Sequence, residues 1–180
     1  KAQLDSLHFT ANTDQLTQLL NRRGGERSLN KLVSSNTPFA LILLDLNKFK
    51  QINDVYGHEA GDEILKHVAH QIKLGLRDSD VLSRWGGDEF IVAVPHTSKK
   101  NLIRIAHKLI EHIETPLHLD HVEKALTVGA SLGVSFYPDD DISIRLLVEL
   151  ADKAMYVAKQ KNTGHQCLAF YSDIKDKIVE

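Results

Sequence analysis

Apolar residues follow two spacings along this chain, and each change of spacing marks an element. Leucines at helical intervals predict a first helix from about Asp14 to Ser34, weakened by Gly24 and Gly25, which each cost about 1 kcal/mol in a helix interior. The segment 39–44 is apolar on both faces, as is typical of a buried central strand. That strand ends at Asp45, and a carboxylate in such a place needs a partner or a metal.

The remaining pattern alternates helices with strands. Helices are predicted over 48–55 and 58–74 and around 102–113 and 147–158, and strands over 117–119, 125–137 and 166–171. Two further strands, 81–85 and 88–94, are separated only by Gly86 and Gly87, which is a strong hairpin signal. The fold class is therefore α/β with a central mixed or antiparallel sheet flanked by helices, because a tight hairpin joins antiparallel neighbours.

Composition constrains the type of protein and its cellular location more than it constrains the reaction. The 180 residues, 42% hydrophobic and 26% charged, suit one soluble domain, and the net charge of −2 gives no basic field for nucleic acid. A single cysteine, Cys167, excludes an internal disulfide and suits a reducing cytosol. The chain opens without an initiator Met. We expect a cytoplasmic domain of a longer protein, with room upstream for a membrane anchor or sensor.

The candidate chemistry is acidic. The chain has no Walker glycine loop, no paired cysteines spaced for zinc and no Gly-x-Ser-x-Gly elbow. Asp45 ends the central strand, and Asp88 with Glu89 opens the second arm of the hairpin, so the three carboxylates converge if the hairpin lies beside that strand. Such oxygen ligands suit Mg²⁺ and phosphates. A regular strand would point Asp88 and Glu89 to opposite faces, and the pattern alone leaves open which one binds metal.

From the pentapeptide at 86–90 alone, a plain hairpin with a solvated acidic shoulder is an equally good interpretation. Four blocks in order change that balance: 14–23, 45–62, 84–90 with the run Gly-Gly-Asp-Glu-Phe, and 151–159. Together they resemble the GGDEF domain family, the catalytic domain of diguanylate cyclases, over nearly the whole chain. The resemblance implies a fold like the palm of nucleotidyl cyclases and polymerases. It also implies condensation of two GTP molecules into cyclic di-GMP and two pyrophosphates.

The resemblance assigns roles to individual residues. It implies catalysis by Asp88 with support from Glu89, and Mg²⁺ (Mn²⁺ as an alternative) on Asp45, Asp88 and the carbonyl of Leu46. It implies an inhibitory product site at Arg77 and Asp80, which as an isolated Arg-x-x-Asp pattern is more often a surface ion pair. Among the implied GTP contacts, Asn53 and Asp62 would read the guanine edge. The implied substrate-binding set is Lys48, Phe49, Lys50, Asn53, His58, Asp62, Gly86, Gly87 and Lys159.

Three departures from the family pattern stand out. Asn47 takes a place where the family often has Asp, and Gly25 one where the entry helix usually carries a large apolar residue. Beyond Lys159 the usual Arg is missing, and Lys161 or His165 is a candidate replacement for its phosphate contact. The predicted organisation is the end of an upstream linker helix at 1–13, a GGDEF domain at 14–172 and the start of a downstream linker at 173–180.

The implied partners are GTP as substrate, cyclic di-GMP as product and inhibitor, and a second copy of the domain, because one domain presents only half of the reaction. An upstream sensor and a downstream phosphodiesterase domain are candidate neighbours in the full-length chain, and no nucleic acid is expected. One rival interpretation is a non-catalytic receptor for GTP or cyclic di-GMP that regulates an attached domain. A second is a polymerase-like palm or a mononucleotide cyclase.

Overall fold

The computed structural model describes residues 2–161 and 167–177, and within them a five-stranded sheet forms the centre of the molecule. Its order is β2-β3-β1-β4-β5, with β4 and β5 parallel and the other neighbours antiparallel. The predicted mixed α/β fold is thus confirmed. The strands are β1 (Phe39–Asn47), β2 (Val81–Gly86), β3 (Glu89–Pro95), β4 (Gly129–Tyr137) and β5 (Leu168–Phe170).

Helices cover both faces of this sheet. They are α1 (Ala2–Asn12), α2 (Arg22–Ser34), α3 (Phe49–Tyr56), α4 (His58–Leu74), α5 (Lys99–Ile113), α6 (Ile144–Gln160) and α7 (Tyr171–Ile174), followed by a 3-10 turn at Lys175–Lys177. The helix predicted over 58–74 has those bounds, since Gly57 precedes it and Gly75 ends it. In the described segments no helix is both long and apolar enough to cross a membrane.

The alternation of β1 divides the core into two layers. Ala40, Ile42 and Leu44 belong to the larger hydrophobic cluster, which α4 and α5 cover. Leu41 and Leu43 belong to the second cluster, which α2 and α6 cover. Asp45 continues the second series, because side chains two residues apart in a strand share a face. The Asp45 carboxylate therefore lies on the same side of the sheet as α6.

A glycine in β4 sets how closely α6 approaches the sheet. A Cβ atom at Gly133 would lie 1.9 Å from the carbonyl oxygen of Ala151 and 2.4 Å from the amide nitrogen of Met155. Both of these are backbone atoms of α6, so a side chain there could not be accommodated by rotation alone. The contact brings the C-terminal part of α6 over the end of β1.

The prediction of one helix from Asp14 to Ser34 is wrong in its first part. Residues 14–20 form a turn, and α2 begins only at Arg22, with the Asn21 side chain capping it by accepting from the Gly24 amide at 2.9 Å. The Asp14 carboxylate instead accepts from the amide and hydroxyl of Thr17, at 2.9 and 2.6 Å. Such local side-chain bonds compete with helix formation, and the leucine spacing did not reveal them.

Gly25 has a different role from the one its sequence context indicated. We expected its small size to loosen the entry helix, but a Cβ atom there would lie 2.4 Å from Ser83 Oγ. The residue is buried where α2 packs against β2. Its lack of a side chain therefore permits close packing rather than causing looseness.

The strands predicted over 117–119 and 125–137 are also only partly present. Leu117 and Leu126 form an isolated bridge with reciprocal backbone hydrogen bonds of 2.8 Å, and the sheet strand begins at Gly129. The predicted strand over 166–171 is shorter, Leu168–Phe170, and its Gln166 lies outside the described residues. Apolar composition alone does not distinguish a short bridge from a strand.

Candidate active site

Three carboxylates meet where β1 ends beside the hairpin. In the β1–β3 register Asp45 stands opposite Glu89, and the Leu46 amide donates to the Asp88 carbonyl at 3.2 Å. Asp88 itself lies in the turn between β2 and β3, where the pairing shifts register. The turn thus departs from regular alternation, and Asp88 and Glu89 both lie near Asp45.

The proximity of these acids changes their pKa values. Burial, then the charge of Asp45, raises the pKa of Asp88, while the Lys159 ammonium opposes that shift. Burial also raises the pKa of Glu89, with further contributions from the charges of Asp45, Asp152 and Asp88. Carboxylates that raise one another's pKa form a site of concentrated negative charge, which a cation stabilises.

Lys159 supplies one such cation. Its ammonium, reached from the last turn of α6, forms an ion pair with Asp45 Oδ2. The other oxygen, Asp45 Oδ1, is buried and has no hydrogen-bond partner. A buried carboxylate oxygen without a partner is costly, so this oxygen is a candidate ligand for a cation.

These residues fit a hard divalent cation. Within the described residues no cluster of three or more His, Cys, Asp or Glu side chains could hold a metal by itself. A cation at Asp45 and Asp88 would therefore need more oxygens, from a backbone carbonyl such as that of Leu46, from water or from bound phosphates. Mg²⁺ characteristically binds in this way, through one or two carboxylates plus substrate phosphates.

The connection from β1 to α3 presents backbone donors beside the acids. Lys48 is the N-cap of α3 with φ of 62°, a left-handed conformation uncommon for a residue with a side chain. No side chain caps this helix end. Amides in a first helical turn have no partner within the helix and favour anions, so Phe49 and Lys50 stand where phosphate oxygens could accept from them.

The two residues expected to read guanine lie on neighbouring helices. Asn53, on α3, is half-buried, and a Cβ atom at Gly61 of α4 would lie 1.8 Å from its Oδ1. The next residue, Asp62, is exposed. The close contact of α3 with α4 therefore places an amide beside an accessible carboxylate. His58, in the first turn of α4, is also exposed.

The hairpin turn is open to a ligand. Gly86 and Gly87 are both exposed, and a Cβ atom at either would have no neighbour within 4 Å. Gly87 has φ of +51°, a conformation that suits glycine. An open turn without side chains leaves room for a large flat group beside Asp88.

Arg77 and Asp80 lie away from this cluster, at the start of β2, whereas the hairpin lies at its end. Six strand residues separate the two places by about 20 Å. The Asp80 carboxylate accepts from the Arg77 amide at 2.8 Å and from its guanidinium at 3.4 Å. The Asp80 side chain is 3% exposed, against 63% for Arg77. A pocket of about 640 Å³ separates this turn from Phe9 and Asn12 at the end of α1.

Two residues that act on the site, Asp152 and Arg84, were not among the site residues predicted from the sequence. Asp152 of α6, seven positions and two helical turns before Lys159, raises the pKa of Glu89. Arg84 contacts both Asp14 and the hairpin turn. Asp14, Arg84 and Asp152 all lie in the four motif blocks, and this position in the sequence could have marked them as site residues. Of the two candidates for the missing Arg, Lys161 follows α6 and His165 lies outside the described residues.

The sequence was compared with protein families and with known proteins. The family model described as "Diguanylate cyclase, GGDEF domain" matches residues 11–165. The chain therefore belongs to the GGDEF family. It is 35% identical over 173 residues to the diguanylate cyclase TpbB of Pseudomonas aeruginosa, covering 93% of this chain and 40% of that protein.

Two further comparisons bear on function. The chain is 31% identical over 178 residues to the cyclic di-GMP phosphodiesterase PdeR of Escherichia coli, covering 98% of this chain and 26% of that protein. It thus spans well under half the length of either curated relative. A solved structure of a microbial GGDEF domain with bis-(3′,5′)-cyclic di-GMP has a TM-score of 0.71 and 33% identity, covering 91% of this chain and 99% of that one.

Proposed function

We propose that this domain is a diguanylate cyclase, which joins two GTP molecules into cyclic di-GMP with release of two pyrophosphates. The observation that carries the proposal is the carboxylate cluster of Asp45, Asp88 and Glu89, in which one buried oxygen of Asp45 has no partner. Burial and mutual repulsion raise the pKa values of Asp88 and Glu89, and acids shifted in this way are typical of functional sites.

The substrate's phosphates would lie over the turn from β1 to α3. Backbone amides of Phe49 and Lys50 would donate to phosphate oxygens, and the exposed ammonium groups of Lys48 and Lys50 would add positive charge. Lys159 would exchange its contact with Asp45 for a phosphate when the nucleotide binds. His58, at the start of α4, would lie near the ribose and phosphates.

Guanine would be recognised between α3 and α4. The Asp62 carboxylate can accept from the N1–H and 2-amino groups of guanine, and the Asn53 amide can pair with the purine edge. Adenine lacks the matching donors, so it would leave the Asp62 carboxylate unpaired. The open turn at Gly86 and Gly87 would accommodate the nucleotide beside the acids.

In the reaction, the 3′-hydroxyl of one GTP attacks the α-phosphorus of the other. A P–O bond forms, the bond from the α-phosphorus to pyrophosphate breaks, and the hydroxyl proton is transferred to a base. Asp88 is our candidate for the proton acceptor, because its carboxylate lies beside Asp45 at the open glycine turn where the nucleotide would bind. Glu89 would support it electrostatically.

We propose that Asp45, Asp88 and the Leu46 carbonyl hold Mg²⁺, with Mn²⁺ as an alternative. When bound, such a cation supplies neutralisation of charge on the phosphates and a lower pKa for a hydroxyl near it. The chain's own contribution is positioning: β1 and the hairpin fix the carboxylates, and α6 keeps Lys159 beside them.

Two copies of the domain would be required. Each copy binds one GTP in this arrangement, and both 3′-hydroxyls must reach an α-phosphate held by the other copy. We therefore propose a homodimer, transient or regulated, and inhibition by product at Arg77 and Asp80. The wider context is also a proposal: a cytoplasmic domain, at 14–172, with a sensor upstream and a phosphodiesterase domain as a candidate downstream.

A second candidate is a non-catalytic receptor for GTP or cyclic di-GMP. The relative PdeR, matched over 98% of this chain, is named for phosphodiesterase activity. A domain of this family is thus present in a protein named for a different reaction. We favour the cyclase because this chain keeps the acids at 45, 88 and 89 together with Asn53 and Asp62.

The test is incubation of the concentrated chain with GTP and Mg²⁺ and chromatography for cyclic di-GMP, with ATP as the control substrate. If the chain is a cyclase, cyclic product should form from GTP and not from ATP. Its rate of formation should rise more steeply than the protein concentration. Absence of product, even from a chain fused to an artificial dimerisation segment, together with retained GTP or cyclic di-GMP binding, would establish the receptor instead.

A further inference from the structure

The hairpin is braced by an arginine that the catalytic scheme does not use. Arg84 lies on β2, two residues before Gly86, and its side chain is 15% exposed. Its Nε donates to the Gly87 carbonyl at 2.9 Å. Its Nη1 donates to both carboxylate oxygens of Asp14, at 3.1 and 3.2 Å. One planar guanidinium thus joins the hairpin turn to a residue 70 positions earlier.

The Gly87 carbonyl is a sensitive place for such a contact. It belongs to the same rigid peptide plane as the Asp88 amide, so fixing its direction restricts the backbone from which the Asp88 side chain projects. On the other side, the Asp88 carbonyl accepts from the Leu46 amide at 3.2 Å. Asp88 is therefore held between β1 and Arg84, close to the register shift between Arg84 and Gly86 of β2.

The other end of the brace is firmly anchored. Asp14 accepts two hydrogen bonds from Thr17, and its amide donates to the Leu19 carbonyl at 2.7 Å. The Arg84 amide donates to the Leu20 carbonyl at 2.8 Å, which joins the same turn to β2. The turn formed by residues 13–21, here called the entry turn, is therefore attached to β2 through both backbone and side chains.

The entry turn also continues from α1. The Asn21 amide donates to the Asn12 carbonyl at 2.9 Å and its side chain to the Ala11 carbonyl at 3.0 Å. The last residues of α1 are thus joined through the entry turn and Arg84 to the peptide that precedes Asp88.

We propose that Arg84 is a positioning residue for the cyclase reaction: by bracing the Gly87 carbonyl against Asp14 of the entry turn, it holds Asp88 in the orientation that turnover requires. The proposal rests on the proposed function. Only arginine offers donors in a fixed planar fork, so one side chain can bind both acceptors at once. A lysine at position 84 could reach one acceptor or the other.

The kinetic test compares Arg84→Lys and Asp14→Asn with the unsubstituted chain at equal protein concentration. Misplacement of a reacting group by about 1 Å can cost 10²-fold, so we expect kcat to fall roughly tenfold to a hundredfold in each variant. The KM for GTP should change much less than kcat, because most of the proposed phosphate and guanine contacts lie on α3 and α4 rather than on the hairpin. The double variant should lose no more than the worse single one.

Arg22→Lys is the matched control. The Arg22 guanidinium lies 5.0 Å from the ring centroid of Trp85, the neighbour of Arg84 on β2, and its Nε donates to Glu26 of its own helix at 3.3 Å. We expect it to leave kcat unchanged. Equal losses in Arg22→Lys and Arg84→Lys, or a rise in KM without a change in kcat, would overturn the positioning role.

A measurement that needs no turnover separates this proposal from the proposed function. In ¹⁵N-labelled chain, Arg84→Lys and Asp14→Asn should shift the amide resonances of Gly87 and Asp88, while resonances in the middle of α4 stay in place. Unmoved Gly87 and Asp88 resonances would refute the brace even if the chain proves to be a receptor. If the unsubstituted chain makes no product and these resonances do move, the cyclase fails and the brace stands.

Discussion

Substitution of Gly133 by alanine tests whether the approach of α6 to the sheet positions Lys159. The added Cβ would lie 1.9 Å from the Ala151 carbonyl oxygen, whereas ordinary contact begins at 3.4 Å. The difference of 1.5 Å between these distances must be met by moving α6 or β4, since the opposing atom is backbone. Overpacking of this kind costs about 1–3 kcal/mol.

For a domain of this size each kcal/mol lowers Tm by about 2–4 °C, so Gly133→Ala should unfold about 2–12 °C earlier. Displacement of α6 would also carry Lys159 away from Asp45, and we expect kcat to fall. Thermal unfolding followed by circular dichroism measures the first effect, and cyclic di-GMP production measures the second.

Gly129→Ala is the control in the same strand. A Cβ atom there would meet Asn47 Nδ2 at 3.5 Å, an ordinary contact. Its effect on stability should therefore stay within about 1 kcal/mol, the usual scale of a strain-free exchange of glycine for alanine. Equal Tm values for the chains substituted at 133 and 129 would refute the close packing of α6 on β4.

The remaining predictions concern the acids and the product site. Asp88→Asn should abolish cyclic di-GMP synthesis without lowering Tm, because it removes a carboxylate that burial and Asp45 already disfavour; retained turnover would contradict the role of Asp88. Since the folded-state pKa values of Asp88 and Glu89 are raised, folded chains hold more protons than unfolded ones, and their contribution to stability falls as pH rises from about 4. Urea unfolding across pH should show a weaker decline in Asp88→Asn with Glu89→Gln, and an unchanged slope would refute the sign. Arg77→Ala should relieve inhibition by cyclic di-GMP while sparing the initial rate; an identical inhibition curve would leave Arg77 and Asp80 as an ion pair on a turn.

Much of the site was predictable because local signals agreed with one another. Gly86 and Gly87 between two predicted strands indicated the hairpin, and the apolar run before Asp45 predicted a central strand. Placing these two elements side by side brings the carboxylates together, as the β1–β3 register shows. The bounds of α4 were equally predictable because glycines stand at both ends.

Other features depended on contacts distant in sequence. The leucines of the entry turn have helical spacing, which led to the wrong prediction of a helix. The hydrogen bonds from Thr17 and Arg84 to Asp14 stabilise a turn instead. The pairing of Lys159 with Asp45 depends on how closely α6 approaches β4 at Gly133, which no pattern within either segment records. Glu89 stands directly opposite Asp45 in the β1–β3 register, whereas Asp88 reaches the same cluster from the turn beside the register shift in β2.

In the proposed mechanism, two copies of the domain each contribute half of a reaction site built on Asp45 and Asp88. The most direct test mixes unsubstituted chain with Asp88→Asn chain at constant total concentration and measures cyclic di-GMP from GTP and Mg²⁺. With freely exchanging symmetric dimers, an equal mixture should give about a quarter of the full activity, because both halves must be intact. A linear decline, to about half the activity in the equal mixture, would show that turnover does not need an intact partner and would contradict the two-copy mechanism.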